Sequence, residues 1–276
     1  MIKILEYDQL DSTNDEAKRL VRAAKNNGPA EQNRGDIVKK LYGSVITARR
    51  QNAGRGRMGK SFFSPGGDCI YASFILPLPE RPAEQLITAA AAVAVCEALE
   101  NTTAYKPGIK WVNDIIVGGK KVCGILAETI PEAVILGIGV NINIEDGGLP
   151  EELQGIAGSL RMNEKEKDDF FSALAEKVPF YVSSEKTGGS SCAADKRADK
   201  RDGSFCPASD ISSVINAYRK RSVIIGKSIL VVQGDKKRPA AALGIADDGA
   251  LIVKYEDGST ENLRAGEISV MDAAVT

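Results

Sequence analysis

The sequence predicts an α+β protein in which a β-sheet with flanking helices is followed by a small β-barrel. Three observations lead there. Strand-like apolar segments recur along the first 143 residues and are interrupted by Ala-rich or amphipathic segments of helical spacing. After Ser222 the pattern changes to short strands punctuated by Gly234-Asp235, Asp248-Gly249 and Asp257-Gly258, as in a small barrel. A chain of 276 residues, 43% hydrophobic and 26% charged, is long enough for one large domain and one smaller one. The expected division is 1–222 and 223–276.

Taken in order, Ile2 to Tyr7 alternates as a strand, and Thr13 with Glu16 forms a T-x-x-E capping box opening a helix that Gly28-Pro29 closes. Gly43 to Ala48 and Cys69 to Leu76 read as strands around the Gly- and Arg-rich stretch Arg49 to Gly67. Pro82 to Glu100 is Ala-rich with helical spacing. Gly108 to Trp111, Ile115 to Val117, Lys121 to Glu128 and Ala133 to Asn141 read as strands, with Gly118-Gly119 turning a hairpin. Glu164 to Val182 and Ile211 to Arg221 are amphipathic helices. Between them, Ser183 to Ser209 holds few large apolar residues to offset its ordering entropy, and reads as a disordered or surface insertion.

The net charge of −1 gives no overall basic field for nucleic acid or an anionic membrane. The chain has no histidine, which excludes His-dependent triads and His-ligated metal, so any chemistry runs on Lys, Arg, carboxylates and positioning. Five cysteines without a CxxC spacing fit a reducing compartment and no zinc site. The first residues lack a signal-peptide pattern, and the apolar runs Ala89 to Cys96 and Ala133 to Val140 are too short to span a membrane. A cytoplasmic protein is expected.

GRGRMGKS, Gly54 to Ser61, fits the P-loop pattern letter for letter. A P-loop, however, needs an apolar strand before its first Gly and a helix starting at its Lys. Here RRQNA precedes and FFSPGG follows, so a P-loop is not expected. What remains is a loop with Arg55, Arg57, Lys60 and upstream Arg50 beside glycines that permit close backbone approach, which suits an anionic ligand.

STN (Ser12 to Asn14), QNAGRGRMGKSFFSP (Gln51 to Pro65), KWVNDI (Lys110 to Ile115), KKVCGILAE (Lys120 to Glu128) and GIGVNIN (Gly137 to Asn143) together resemble the biotin protein ligase family in order and spacing. The segment GALIVKYEDGSTENLRAGEISV resembles that family's SH3-like C-terminal domain. The resemblance implies a mixed sheet of class II synthetase type, ATP-dependent activation of biotin to biotinyl-AMP, and transfer to a lysine of a biotin carboxyl carrier domain. Mg²⁺ would be held mainly by the nucleotide.

By the same resemblance Ser12, Thr13, Asn14, Gln51, Arg55, Gly56, Arg57, Lys121 and Gly124 would bind biotin. Arg55, Arg57, Lys110, Asn113, Asp114 and Asn141 would bind ATP, and Arg55, Arg57, Lys110 and Lys121 would carry catalysis. Gly124 is read as a point of close ligand approach, since Gly otherwise weakens a strand. Val112, Phe62 and Met58 depart from the family's usual Pro, Trp and Arg. The rivals are a lipoate ligase, a biotin-responsive DNA-binding repressor and a P-loop nucleotidase. The repressor is disfavoured because the STN motif begins at residue 12, ahead of which a winged helix is expected in such members. A monomer or homodimer, with no DNA partner, is expected.

Overall fold

The structure, a computed structural model, describes residues 2–26, 31–78, 84–145, 147–182 and 211–271. The expected insertion Ser183 to Ser209 and the Gly28-Pro29 helix stop lie outside them.

Seven strands form one mixed sheet: β1 (Ile4–Leu10), β2 (Val45–Gln51), β3 (Ile70–Leu76), β4 (Gly108–Lys110), β5 (Asp114–Val117), β6 (Lys120–Ile130) and β7 (Ala133–Val140), in the spatial order β1-β2-β3-β7-β6-β5-β4. β1 and β2 are parallel and the other pairs antiparallel. Helix α1 (Thr13–Asn26) covers one face, while α3 (Glu84–Thr102), α5 (Glu164–Val182) and α6 (Ile211–Arg221) pack on the other. Every residue of the central strand β3 is buried, by helices on both sides and, at Tyr71, by the loop residue Phe62.

Period-two alternation divides β3 and β7 between the two faces. Ala72, Phe74 and Leu76 with Val134, Leu136, Ile138 and Val140 join the large core under α3, whereas Ile75 and Ile135 join Ala17 and Val21 under α1. Residues between Ala89 and Leu99 of α3 are buried almost all round, so this helix carries little amphipathic contrast.

The second sheet comprises β8 (Ser228–Gln233), β9 (Lys236–Ile245), β10 (Leu251–Tyr255), β11 (Thr260–Leu263) and β12 (Glu267–Val270), all antiparallel, in the order β11-β10-β9-β8-β12. The short strands expected after Ser222 are thus present, and the first half of β9 lies exposed along β8.

Two helices escaped the sequence reading. In α2 (Glu31–Lys39), where Gly35 interrupts the helix interior, Val38 joins the cluster under α1. The single turn α4 (Glu151–Gln154) is too short to show a period. The expected capping box is also corrected. Ser12, not Thr13, caps α1: its carbonyl accepts from the Glu16 N–H at 3.0 Å and its Oγ from the Asp15 N–H at 3.4 Å. Glu16 turns instead to Tyr7 and Arg19, whose contacts hold its carboxyl below the ordinary carboxylate range, Arg19 contributing most.

Candidate active site

The α1 face of the sheet, beyond the N-terminus of that helix, holds a cavity of about 270 Å³. Register builds its floor. Ser73 lies opposite Gly137, and Gly137 opposite Leu126; one step on, Tyr71, Gly139, Gly124 and Asp114 are neighbours across β3, β7, β6 and β5. Three glycines in these two rows leave room that side chains from other segments fill. A Cβ on Gly137 would lie 2.4 Å from Asn14 Oδ1, and Cβ atoms on Gly139 and Gly124 would lie 2.5 Å and 2.9 Å from the Phe62 ring. The close neighbours of Gly124 within the chain are Phe62 and Lys121.

The polar wall comes from the start of α1 and the end of β2. Gln51 Oε1 accepts from the Thr13 N–H at 2.9 Å and lies 3.1 Å from Thr13 Oγ1, while Gln51 Nε2 donates to Ser64 Oγ at 2.8 Å. Ser73 Oγ stands 2.7 Å from Thr13 Oγ1 and 2.6 Å from Asn14 Oδ1, and Asn14 Nδ2 donates to Glu128 at 2.8 Å. Ser12, Thr13, Asn14 and Ser73 are all buried in this network. Tyr71 lines the floor with its phenol donating to Pro65 O at 2.9 Å, and burial raises its pKa well above the ordinary tyrosine value.

The cationic wall is opposite. Around the 3₁₀ turn Arg57–Gly59, Arg55 bridges to Ser61, and Lys60 is extended, so no helix starts at the lysine and the P-loop reading stays excluded. Met58 at the tip is 63% exposed and has φ +55°. Arg57 Nη1 donates to Asn113 Oδ1 at 3.2 Å and Nη2 to Gly266 O at 3.4 Å. Lys60 pairs with Glu267 at 2.6 Å, and Lys121 pairs with Asp114 at 2.7 Å, its Nζ 5.9 Å from the Phe62 ring centre. Arg55 is held on its outer side by Asp15 at 2.9 Å and Glu128 at 3.5 Å.

The cavity thus brings together Ser12, Thr13, Asn14, Gln51, Arg55, Gly56, Arg57, Lys110, Asn113, Asp114, Lys121 and Gly124. Two expected members stand apart. Asn141 does not line the cavity; its amide donates to Gly158 O at 3.0 Å, fastening β7 to the segment after α4. Arg50 is turned to Gln9 on β1.

Several contributors carried no functional assignment in the sequence reading. Ser73 is one polar residue in an otherwise apolar strand, Lys18 carries no sequence signal of its own, and Glu128 is the last letter of a motif. Gly266 to Ser269 of the second sheet complete the rim, and no local signal announces a strand end that reaches a site two hundred residues earlier.

A family model described as the Biotin/lipoate A/B protein ligase family matches residues 34–145, and one described as the Biotin protein ligase C terminal domain matches residues 224–271. The chain is 37% identical over 175 residues to the bifunctional ligase/repressor BirA of Bacillus subtilis (strain 168), covering 60% of this chain and 48% of that protein. It therefore spans about half the length of this relative. It is 29% identical over 234 residues to a biotin, acetyl-CoA-carboxylase ligase of Paracoccus denitrificans, covering 79% of this chain and 87% of that one. Among solved structures, the biotin protein ligase from Aquifex aeolicus in complex with biotin and ATP matches in fold with a TM-score of 0.70 at 22% identity, over 99% of this chain and 100% of that one. With both family models matched in order along one chain whose two sheets follow the same fold, the chain belongs to the biotin protein ligase family.

Proposed function

We propose that this chain activates biotin with ATP to biotinyl-AMP and passes the biotinyl group to a lysine of a biotin carboxyl carrier domain. The observation that carries the reading is the meeting, in one cavity, of a neutral amide and hydroxyl wall (Ser12, Thr13, Asn14, Gln51) with a cationic one (Arg55, Arg57, Lys110, Lys121). The first wall suits a ring rich in hydrogen-bonding groups. The second answers the electrostatic problem of bringing a carboxylate to a triphosphate, since positive charge placed where two anions meet lowers the barrier.

In the first step the carboxylate oxygen attacks the α-phosphorus and pyrophosphate leaves. Biotin is ionised at neutral pH, so no side chain need accept a proton, which suits a chain without histidine. In the second step a lysine amine attacks the acyl carbon, the bond from that carbon to the phosphate oxygen breaks, AMP leaves, and the amine's proton passes to solvent. Lys110 and Lys121 hold the reacting oxygens, and Arg55 with Arg57 closes over the adenylate and keeps water from the anhydride. In this reading Mg²⁺ is carried by the nucleotide. When bound, that ion neutralises the departing pyrophosphate.

The same reading divides the chain into a ligase domain of residues 1–222 and an SH3-like domain of 223–276. It has the protein act in the cytoplasm, as a monomer or homodimer, on a carrier protein and not on DNA. Incubation with ATP, Mg²⁺ and either biotin or lipoate, followed by mass spectrometry, tests it. Biotinyl-adenylate is expected, and lipoyl-adenylate alone would overturn the choice of acid.

A further inference from the structure

Glu128 lies outside the cavity wall, yet three groups from the wall and its margin converge on its carboxylate. Asn14 Nδ2 donates to Oε2 at 2.8 Å, Lys18 Nζ donates to Oε1 at 2.7 Å, and Arg55 Nη2 stands 3.5 Å from Oε1. Lys18 also reaches Asp15 at 3.2 Å, and Asp15 reaches Arg55 at 2.9 Å, so two cations and two carboxylates alternate around the first turn of α1. The Lys18 side chain is only 11% exposed. A charge so withdrawn on a helix face is retained where a partner needs it, since burying an ammonium group is otherwise costly.

An asparagine amide can turn about its last bond and exchange its C=O and NH₂ ends with almost no change of shape. Ser73 alone cannot select between the two, because its hydroxyl donates or accepts by rotating. A carboxylate only accepts. Glu128 therefore fixes the NH₂ of Asn14 toward itself and the carbonyl toward Ser73, 2.6 Å away. Asn14 is pressed against the backbone of Gly137, where a Cβ would lie 2.4 Å from Oδ1, so it has no room to move aside. The choice then runs onward: with its one hydrogen committed to Asn14, Ser73 turns only lone pairs toward the Thr13 hydroxyl 2.7 Å away, and Gln51 Oε1 accepts from the Thr13 N–H.

We propose that Glu128, braced by Lys18, is a positioning residue that acts through Asn14 to set the hydrogen-bond polarity of the wall reading the polar ring of the acid substrate. This rests on the reading of the cavity as an acid-activating site. The test is steady-state pyrophosphate release by the full chain, with the acid and ATP varied separately. Glu128→Ala is expected to raise KM for biotin roughly 10- to 100-fold, the range for losing a hydrogen bond to a charged group. KM for ATP and kcat are expected to move less than about threefold. Glu128→Gln has one oxygen, which the cations Lys18 and Arg55 draw to themselves, so its NH₂ faces Asn14 and no longer selects the amide end; it is expected to raise KM for biotin nearly as far. In an Asn14→Ala background Glu128→Ala is expected to add less than about twofold, because the route to the substrate is already gone.

An unchanged KM for biotin in Glu128→Ala, or the same added loss with and without Asn14, overturns the proposal. A fall in kcat alone does so too. If Glu128→Ala does not fold, Glu128→Gln carries the test: a raised KM for biotin with kcat little changed supports the proposal, and a near-normal KM overturns it. Failure of the wider reading is seen separately, in the wild-type chain. Activation of lipoate instead, whose dithiolane ring offers that wall no N–H or C=O, or of neither acid, overturns both.

Discussion

Lys121 lines the cavity 2.7 Å from Asp114 and beside the Phe62 ring, and in the proposed function it meets the biotin carboxylate and the α-phosphate. Removing one preorganised charge from such a site costs about 10²- to 10³-fold in the chemical step. Lys121→Ala is expected to lower adenylate formation by that factor in a pyrophosphate-release assay, and near-normal release would remove its role. Arg57 belongs to a different task, since it ties the anion loop to Asn113 and to the Gly266 carbonyl. Arg57→Ala is expected to speed release of biotinyl-AMP about tenfold, the effect of losing charge-assisted hydrogen bonds, as read by trapping the free adenylate. An unchanged release rate would count against that assignment. The chemistry of these side chains was legible in the sequence because residue identity states charge. Their partners were not: that Arg55 rests between Asp15 and Glu128 depends on a helix, a loop and a strand meeting.

Strands β6 and β7 set the depth of the cavity through their glycines. A methyl group on Gly139 would lie 2.5 Å from Phe62 Cε1, so Gly139→Ala must displace the ring from its seat. Overpacking of this kind costs about 1–3 kcal/mol, which urea denaturation would measure, and an unchanged midpoint would show that the ring yields freely. At the other edge, the Glu16 carboxylate joins β1 to α1 through Tyr7 and Arg19. Its folded pKa lies below the ordinary 4.5, so its contribution is present above that pH and is lost as pH falls through the depressed value. Glu16→Gln is expected to flatten the fall of Tm below pH 4.5, and parallel Tm curves for the two proteins would contradict this. Elements with a sustained period were legible: α5 begins and α6 ends where the spacing put them. The capping box was misread because Thr13 has a stronger partner in Gln51, a residue that becomes its neighbour only when β2 pairs with β1.

At the scale of the molecule, the second sheet is fastened to the first by side chains that end on its loops. Trp111 Nε1 donates to Gly249 O at 3.0 Å, Arg219 Nε to Ile245 O at 2.7 Å and Gln85 Nε2 to Arg264 O at 2.7 Å. Trp111 is buried, so Trp111→Phe leaves the Gly249 carbonyl without its donor at a cost of about 1–3 kcal/mol. A lowered urea midpoint is expected, and an unchanged one would mean that the carbonyl finds another donor. The sequence by itself determined the alternating faces of the strands, the cationic loop and the change to short strands after Ser222. Tertiary structure alone decided which alternate residues stand side by side. The row Tyr71, Gly139, Gly124, Asp114 exists only through inter-strand register, and its Phe62 cover and Glu267 rim come from a loop and from the second sheet. A period within one strand says which residues share a face, but carries no information on how far that strand slides along its neighbour.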